Sequence, residues 1–234
     1  MSMVIDPYRF GVAAWTPASL PNLKLWYDAS DAGSFTYSSG SAVSQWNDLS
    51  GNADHLAQAD TSLQPARNTT IGTLDAVQFD GTGDRMDLAA ASFSQAQPFT
   101  ALAVWYKMGT GSQVLFDAAP GQSACGFYDN TMEAGGSVSY SSGFANNTTH
   151  TAALIFDGAS SKMYANGGAA VGTGNVGSNS LNGLRVGLNR VTGSAYFNGK
   201  LGELVICSGV LGLSDLNAFG EYGERWGHTW TTAT

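Results

Sequence analysis

Residues 200–227 read KLGELVICSGVLGLSDLNAFGEYGERWG: a strand, a short turn and one convincing helix. In KLGELVIC, Leu204 and Ile206 alternate with their neighbours as a strand facing a core does. In the helix segment Ser214 is a good N-cap, and Asp215 suits the positive end of the helix dipole. Leu216, Phe219, Tyr222 and Trp226 share one apolar face. Gly220 and Gly223 each weaken such a helix by about 1 kcal/mol relative to Ala, so packing on a sheet must stabilise it.

Working outward, strand signals recur from Leu23 onward, separated by Gly, Asn, Asp and Ser. LKLWY, LDAVQFD, FTALAVWY, SQVLFD, HTAALIFD, KMYANG, GLRVGLN and AYFNG all fit, at the spacing of a sandwich or barrel. Val77 and Phe79 alternate as well. In FDGASSKMYANGG, Asp157-Gly158 and Asn166-Gly167 are turn formers that tolerate positive φ. No repeat of fixed period and no long linker appears, and 234 residues suit a single all-β domain.

Composition narrows the function. Charged residues are only 12% of the chain and glycines number 30, a turn-rich β composition. A net charge of -8 with Lys24, Lys107, Lys162 and Lys200 scattered argues against nucleic acid as a partner. No apolar run reaches about 18 residues, so no membrane insertion is expected. The start MSMVIDPYRFGVAAW lacks a basic lead, and Asp6 and Arg9 interrupt any apolar core, so no signal peptide is expected and synthesis is placed in the cytoplasm. Cys125 and Cys207 are too few for a disulfide framework and are expected to be buried thiols.

Residues 1–21 stand apart as an arm ahead of a domain at 22–234. Pro7, Pro17 and Pro21 keep the arm from forming a helix or a central strand. Tyr8, Phe10 and Trp15 give it more apolar surface than a disordered tail carries. It is expected to dock, either on a neighbouring subunit or along the domain's own edge.

Residues 43–53, VSQWNDLSGNA, place a tryptophan directly before small polar side chains. Such chemistry suits a sugar, a cation or a tight turn. In the sugar reading Trp46 stacks on the ring while Asn47, Asp48, Asn52 and Asp54 supply hydrogen bonds. In the cation reading Asp28, Asp31, Asp80 and Asp84 converge from neighbouring loops, with calcium the candidate; otherwise no cofactor is expected. Calcium needs six or more oxygen ligands, and no single loop here has a self-contained spacing. In the turn reading Asp48, Ser50 and Asn52 simply satisfy backbone N–H groups.

The order LKLWYDASDA, VSQWNDLSGNADHLAQA, LDAVQFDGTGDRMDL, YANG and FNGKLGELVICSGVLGLSDLNAFGEYGERWG resembles the concanavalin A-like lectin and glucanase superfamily. More narrowly, it resembles laminin-G-like jelly rolls of phage and bacterial surface proteins. The resemblance runs from about Leu20 to Gly227. It implies a two-sheet antiparallel jelly-roll sandwich with one short C-terminal helix. It also implies that the Trp-x-Asp-x-Ser-Gly-Asn segment closes a strand with its indole in the core.

Glucanases of that superfamily resemble one another in a strand of closely spaced glutamates and aspartate. Here the glutamates are Glu133, Glu203, Glu221 and Glu224, and none pairs in that way, so the chain is expected not to be an enzyme. His55, His150 and His228 lie in no zinc-binding spacing. The resemblance implies a virion-associated structural or binding protein, as a tail or baseplate appendage or a head decoration protein. Its expected partners are other virion proteins, copies of itself and a host-surface glycan. A free carbohydrate-binding lectin is the alternative, with a glycoside hydrolase ranked last.

Overall fold

The computed structural model describes residues 14–111, 113–190 and 195–234. Tyr8 and Phe10 lie outside the described residues. The central strand is Phe99–Lys107, buried at almost every position. It runs antiparallel between Thr148–Phe156 and Asn198–Ser208. The C-terminal half of Asn198–Ser208 pairs with Leu23–Asp28, and its N-terminal half with Leu74–Asp80. Ser161–Ala165, Gly172–Gly174 and Ala66–Ile71 extend this row.

A second row contains Val114–Asp117, Leu184–Val186, Met86–Leu88, Leu56–Ala57, Ala42–Trp46 and Phe35–Ser39 in that order. A single bridge, Ala42 to Ala66, links the rows. Among the described residues, 17 strands therefore form one continuous, nearly closed sheet, with Ser94–Gln95 and Leu181–Asn182 a separate pair. The chain is mostly β with one short helix, as expected, but its hydrogen bonding wraps through one sheet instead of stopping at the edges of two.

The core is aromatic. Trp46, Tyr27, Phe79, Phe99, Phe116, Phe127 and Phe156 are fully enclosed, and Phe99 stacks on Phe156 at 4.4 Å between centroids. The alternation expected at Leu204 and Ile206 is only half the pattern, because Val205 and Cys207 are equally buried. Strands covered on both faces lose polar alternation. The second cover is the helix Leu213–Gly223: a Cβ on Gly223 would lie 3.3 Å from Val104, and one on Gly202 would lie 3.0 Å from the Trp226 ring.

That helix begins two residues before the start that a Ser214 N-cap would give. Its N-cap is Gly212, with no side-chain cap, and Ser214 sits inside the first turn. Gly220 has a packing reason. The Trp230 ring lies where a Cβ would be, within 2.1 Å, while Trp230 Nε1 and the Ala233 N–H both donate to Asn217 Oδ1. The C-terminal segment is thus strapped across the helix. Gly220→Ala should improve helix propensity by about 1 kcal/mol. Overpacking against Trp230 costs about 1–3 kcal/mol, so the variant should nevertheless melt below the wild type. An unchanged or higher melting temperature would show that the strap does not constrain Gly220.

Candidate functional site

The Trp46 turn resolves into a structural part and an open part. The indole of Trp46 lies in the core, 5.2 Å from the Phe35 ring and 5.8 Å from that of Tyr27, with none of its surface exposed. It cannot stack on a sugar, which corrects that expectation. Asp48 is buried and spent within the chain. Its Oδ1 accepts from the Trp26 and Ser50 backbone N–H groups at 2.9 Å, and Oδ2 accepts from Ser50 Oγ at 2.6 Å and the Asp54 N–H at 3.3 Å. Asn47 Oδ1 accepts from Gln45 Nε2 at 2.7 Å. Asp48 through the Trp26 N–H and Trp46 against the Tyr27 ring fasten the turn to the strand Leu23–Asp28.

Asn52 and Asp54 have a different setting. They line a groove of about 420 Å³ together with Lys24, Ser92, Ser94, Gln95 and the nearly buried Phe93. That volume is within the range of small-molecule clefts. Gly51 and Ala53, at φ +92° and +62°, give the chain around Asn52 its sharp path. Ser94–Gln95 is held by pairing with Leu181–Asn182. Burial, then the charge of Asp48, raises the pKa of the Asp54 carboxyl from its ordinary value, with His55 opposing. No donor among the described residues reaches that carboxylate.

Lys24 and Ser92–Gln95 were not singled out in the sequence. The segment SFSQ carries no periodicity and no chemically distinctive residue, and lies about 40 positions from Asn52. Only the topology brings the two together.

The four acids expected to hold a cation do not gather. Asp28 Oδ2 accepts from Arg225 Nη2 at 2.9 Å, and Asp31 Oδ1 from the Gly33 N–H at 2.9 Å. Asp80 takes up its own loop: burial would raise its pKa, but bonds from Thr82, Gly83 and Asp84 outweigh burial and hold it down at about 2. Burial and the charge of Asp80 push Asp84 up to about 6. Among the described residues, no three His, Cys, Asp or Glu side chains group as metal ligands.

The specific ending Arg-Trp-Gly proves to be a lock. Glu203, fully buried, accepts from Trp26 Nε1 at 2.8 Å, Arg225 Nη2 at 2.9 Å and Trp226 Nε1 at 3.3 Å. The Arg225 guanidinium also lies over the Tyr222 ring at 4.2 Å. Trp15, expected to belong to a docking arm, meets Tyr222 edge-on at 5.4 Å and so packs on its own chain's helix.

Neither a protein-family model nor a curated protein matches the sequence. Solved structures do. The chain is similar to a Trypanosoma rangeli sialidase in complex with sialic acid at 15% identity and a TM-score of 0.58, covering 95% of this chain and 36% of that one. It is similar to domain 4 of AbnA, a GH43 extracellular arabinanase from Geobacillus stearothermophilus in complex with arabinotriose, at 14% identity and a TM-score of 0.50, covering 88% and 98%. It is also similar to the receptor binding domain of botulinum neurotoxin D, at 13% identity and a TM-score of 0.56, covering 86% and 52%. The chain thus spans about a third of the sialidase's length. At these identities the likeness is one of fold.

That likeness overturns the expectation that the chain is not an enzyme. The fold is shared with sialidase chains, so the lack of a paired-glutamate strand does not remove the chain from glycan-processing proteins.

Proposed function

We propose that the chain is a glycan-binding β domain, a jelly roll of lectin type whose two strand rows are the faces of a sandwich, and that the groove beside Asn52 and Asp54 is its binding site. One observation carries the reading. Asp28, Asp48 and Asp80 spend both carboxylate oxygens on donors of this chain and Asp31 spends one, whereas the Asp54 carboxylate at the polar groove meets no donor among the described residues. Unspent acceptors in a polar groove suit a hydroxyl-bearing ligand. The sugar-bound states of the similar sialidase and arabinanase support the same class of ligand.

The full chain should be retained on an immobilised oligosaccharide, and Asp54→Ala should reduce its affinity at least tenfold with unchanged melting. Retention that survives Asp54→Ala and Gln95→Ala together would place binding elsewhere. A second reading, glycan hydrolysis, draws on the fold shared with the sialidase chains. Release of reducing sugar that vanishes in Asp54→Asn would establish it. A virion location rests on the sequence resemblance alone, and copurification with particles in fixed stoichiometry tests it.

A further inference from the structure

The groove's hydrogen-bonding capacity is lopsided. Asn52 Nδ2 donates to the Lys24 carbonyl at 2.8 Å and to Ser50 Oγ at 3.0 Å. A carbonyl can only accept, so this bond fixes the amide's orientation and leaves Oδ1 as the free end. Gln95 is oriented in the same way: one Nε2 hydrogen goes to the Ala96 carbonyl at 2.7 Å, leaving Oε1 and the second Nε2 hydrogen. Ser94 Oγ gives its hydrogen to Asn182 Oδ1 at 2.7 Å and keeps its lone pairs. Asp54, when ionised, is an acceptor only.

At Ser92, Phe93, Asn52 and Asp54 the backbone N–H groups are already engaged. The N–H groups of Ser92 and Phe93 go to the Ala89 carbonyl at 3.0 and 3.2 Å. Those of Asn52 and Asp54 go to Ser50 Oγ and Asp48 Oδ2, both at 3.3 Å. Among the described side chains of the groove, the donors that remain are the Lys24 ammonium, the Ser92 hydroxyl and the second Nε2 hydrogen of Gln95.

We infer that the groove selects donor-rich ligands, neutral sugars presenting adjacent free hydroxyls, over glycans capped by carboxylate or sulfate. This rests on the groove being the glycan site. Hydroxyl groups can each give a hydrogen to Asp54, Asn52 Oδ1, Gln95 Oε1 and Ser94 Oγ. An acid group offers acceptors where the groove already has them, and it meets the charge of Asp54 with Asp48 behind it. Among the groove's remaining donors, Lys24 alone brings a positive charge to answer it. An acceptor facing an acceptor leaves both desolvated and unpaired, which discriminates more sharply than a lost apolar contact.

The test uses the full chain and matched pairs of gluco-, galacto- and arabino-oligosaccharides, each neutral and as its sulfated or uronic-acid counterpart, with affinities measured by calorimetry. The wild type should bind the neutral member at least tenfold more tightly. Asp54→Asn replaces one acceptor by a donor, so it should narrow the ratio to less than threefold while circular dichroism shows an unchanged fold. If the acidic member binds equally or better and Gln95→Ala still weakens it, the groove remains the site and the selectivity inference is wrong. Should no pair bind, or should Gln95→Ala and Asp54→Asn change neither affinity, the groove reading falls and the inference with it.

Discussion

Arg225→Met should destabilise the chain by about 3–5 kcal/mol, the usual cost of removing one partner from a buried ion pair. Arg225 holds Asp28 and Glu203 together at 2.9 Å each, and Glu203 has no exposed surface. Removing the guanidinium leaves two acids facing each other across a strand pair in which Asp28 lies opposite Glu203. Glu203→Gln in the Arg225→Met background should recover part of the loss, since the amide oxygen can still accept from Trp26 Nε1. A single Arg225→Met variant that melts with the wild type would show that the lock contributes nothing.

The same cluster predicts a pH dependence. Burial pushes Glu203 up to about 7 from an ordinary 4.5, with Asp28 adding to the rise and Arg225 and Trp26 opposing it. Between those values the folded chain keeps a proton that the unfolded chain releases. The stabilisation is complete below about pH 4.5 and is lost as pH rises through about 7, on the order of 3 kcal/mol in all. Urea unfolding from pH 5 to pH 8 should show this decline, and Glu203→Gln should flatten it.

Trp46→Ala should cost about 3–5 kcal/mol, as large aromatic truncations in cores do, and should leave sugar affinity unchanged below the melting transition. The ring fills the space between Tyr27 and Phe35, and none of the groove residues depends on it for a hydrogen bond. Loss of sugar binding with an intact melting temperature would return Trp46 to the role of a stacking platform. Unfolding curves and oligosaccharide titrations on one preparation separate the two outcomes.

Much of the architecture was legible in residue patterns, because FTALAVWY buries a nearly continuous run in Phe99–Lys107 and LDAVQFD buries Ala76, Val77 and Phe79 between exposed acids in Leu74–Asp80. The helix was legible from its apolar face, but its start was not, since Gly212 caps it without a side chain. The joining of the two rows rests on one Ala42–Ala66 bridge, and a pair of alanines carries no pattern. Trp46 was ambiguous for a related reason. Val43 and Trp46 are an odd number of residues apart yet both fully buried, where regular alternation would face them apart. Irregular pairing with Phe35–Ser39 accompanies this break in parity. Of the groove, Asn52 and Asp54 stood out as polar residues of a turn, whereas Lys24 and Ser92–Gln95 join them only through the chain's long-range path.

The central claim is that sugar binds in the groove lined by Asn52, Asp54 and Ser92–Gln95. Two-dimensional amide NMR of the full chain, titrated with the neutral oligosaccharide that it retains best, tests this residue by residue. The account predicts saturable shifts at Asn52, Asp54, Ser92, Ser94 and Gln95 and in the Asn52 and Gln95 side-chain amides, with the Trp46 indole signal unmoved. Saturable shifts that leave all of these in place and cluster on another face of the sheet would contradict it.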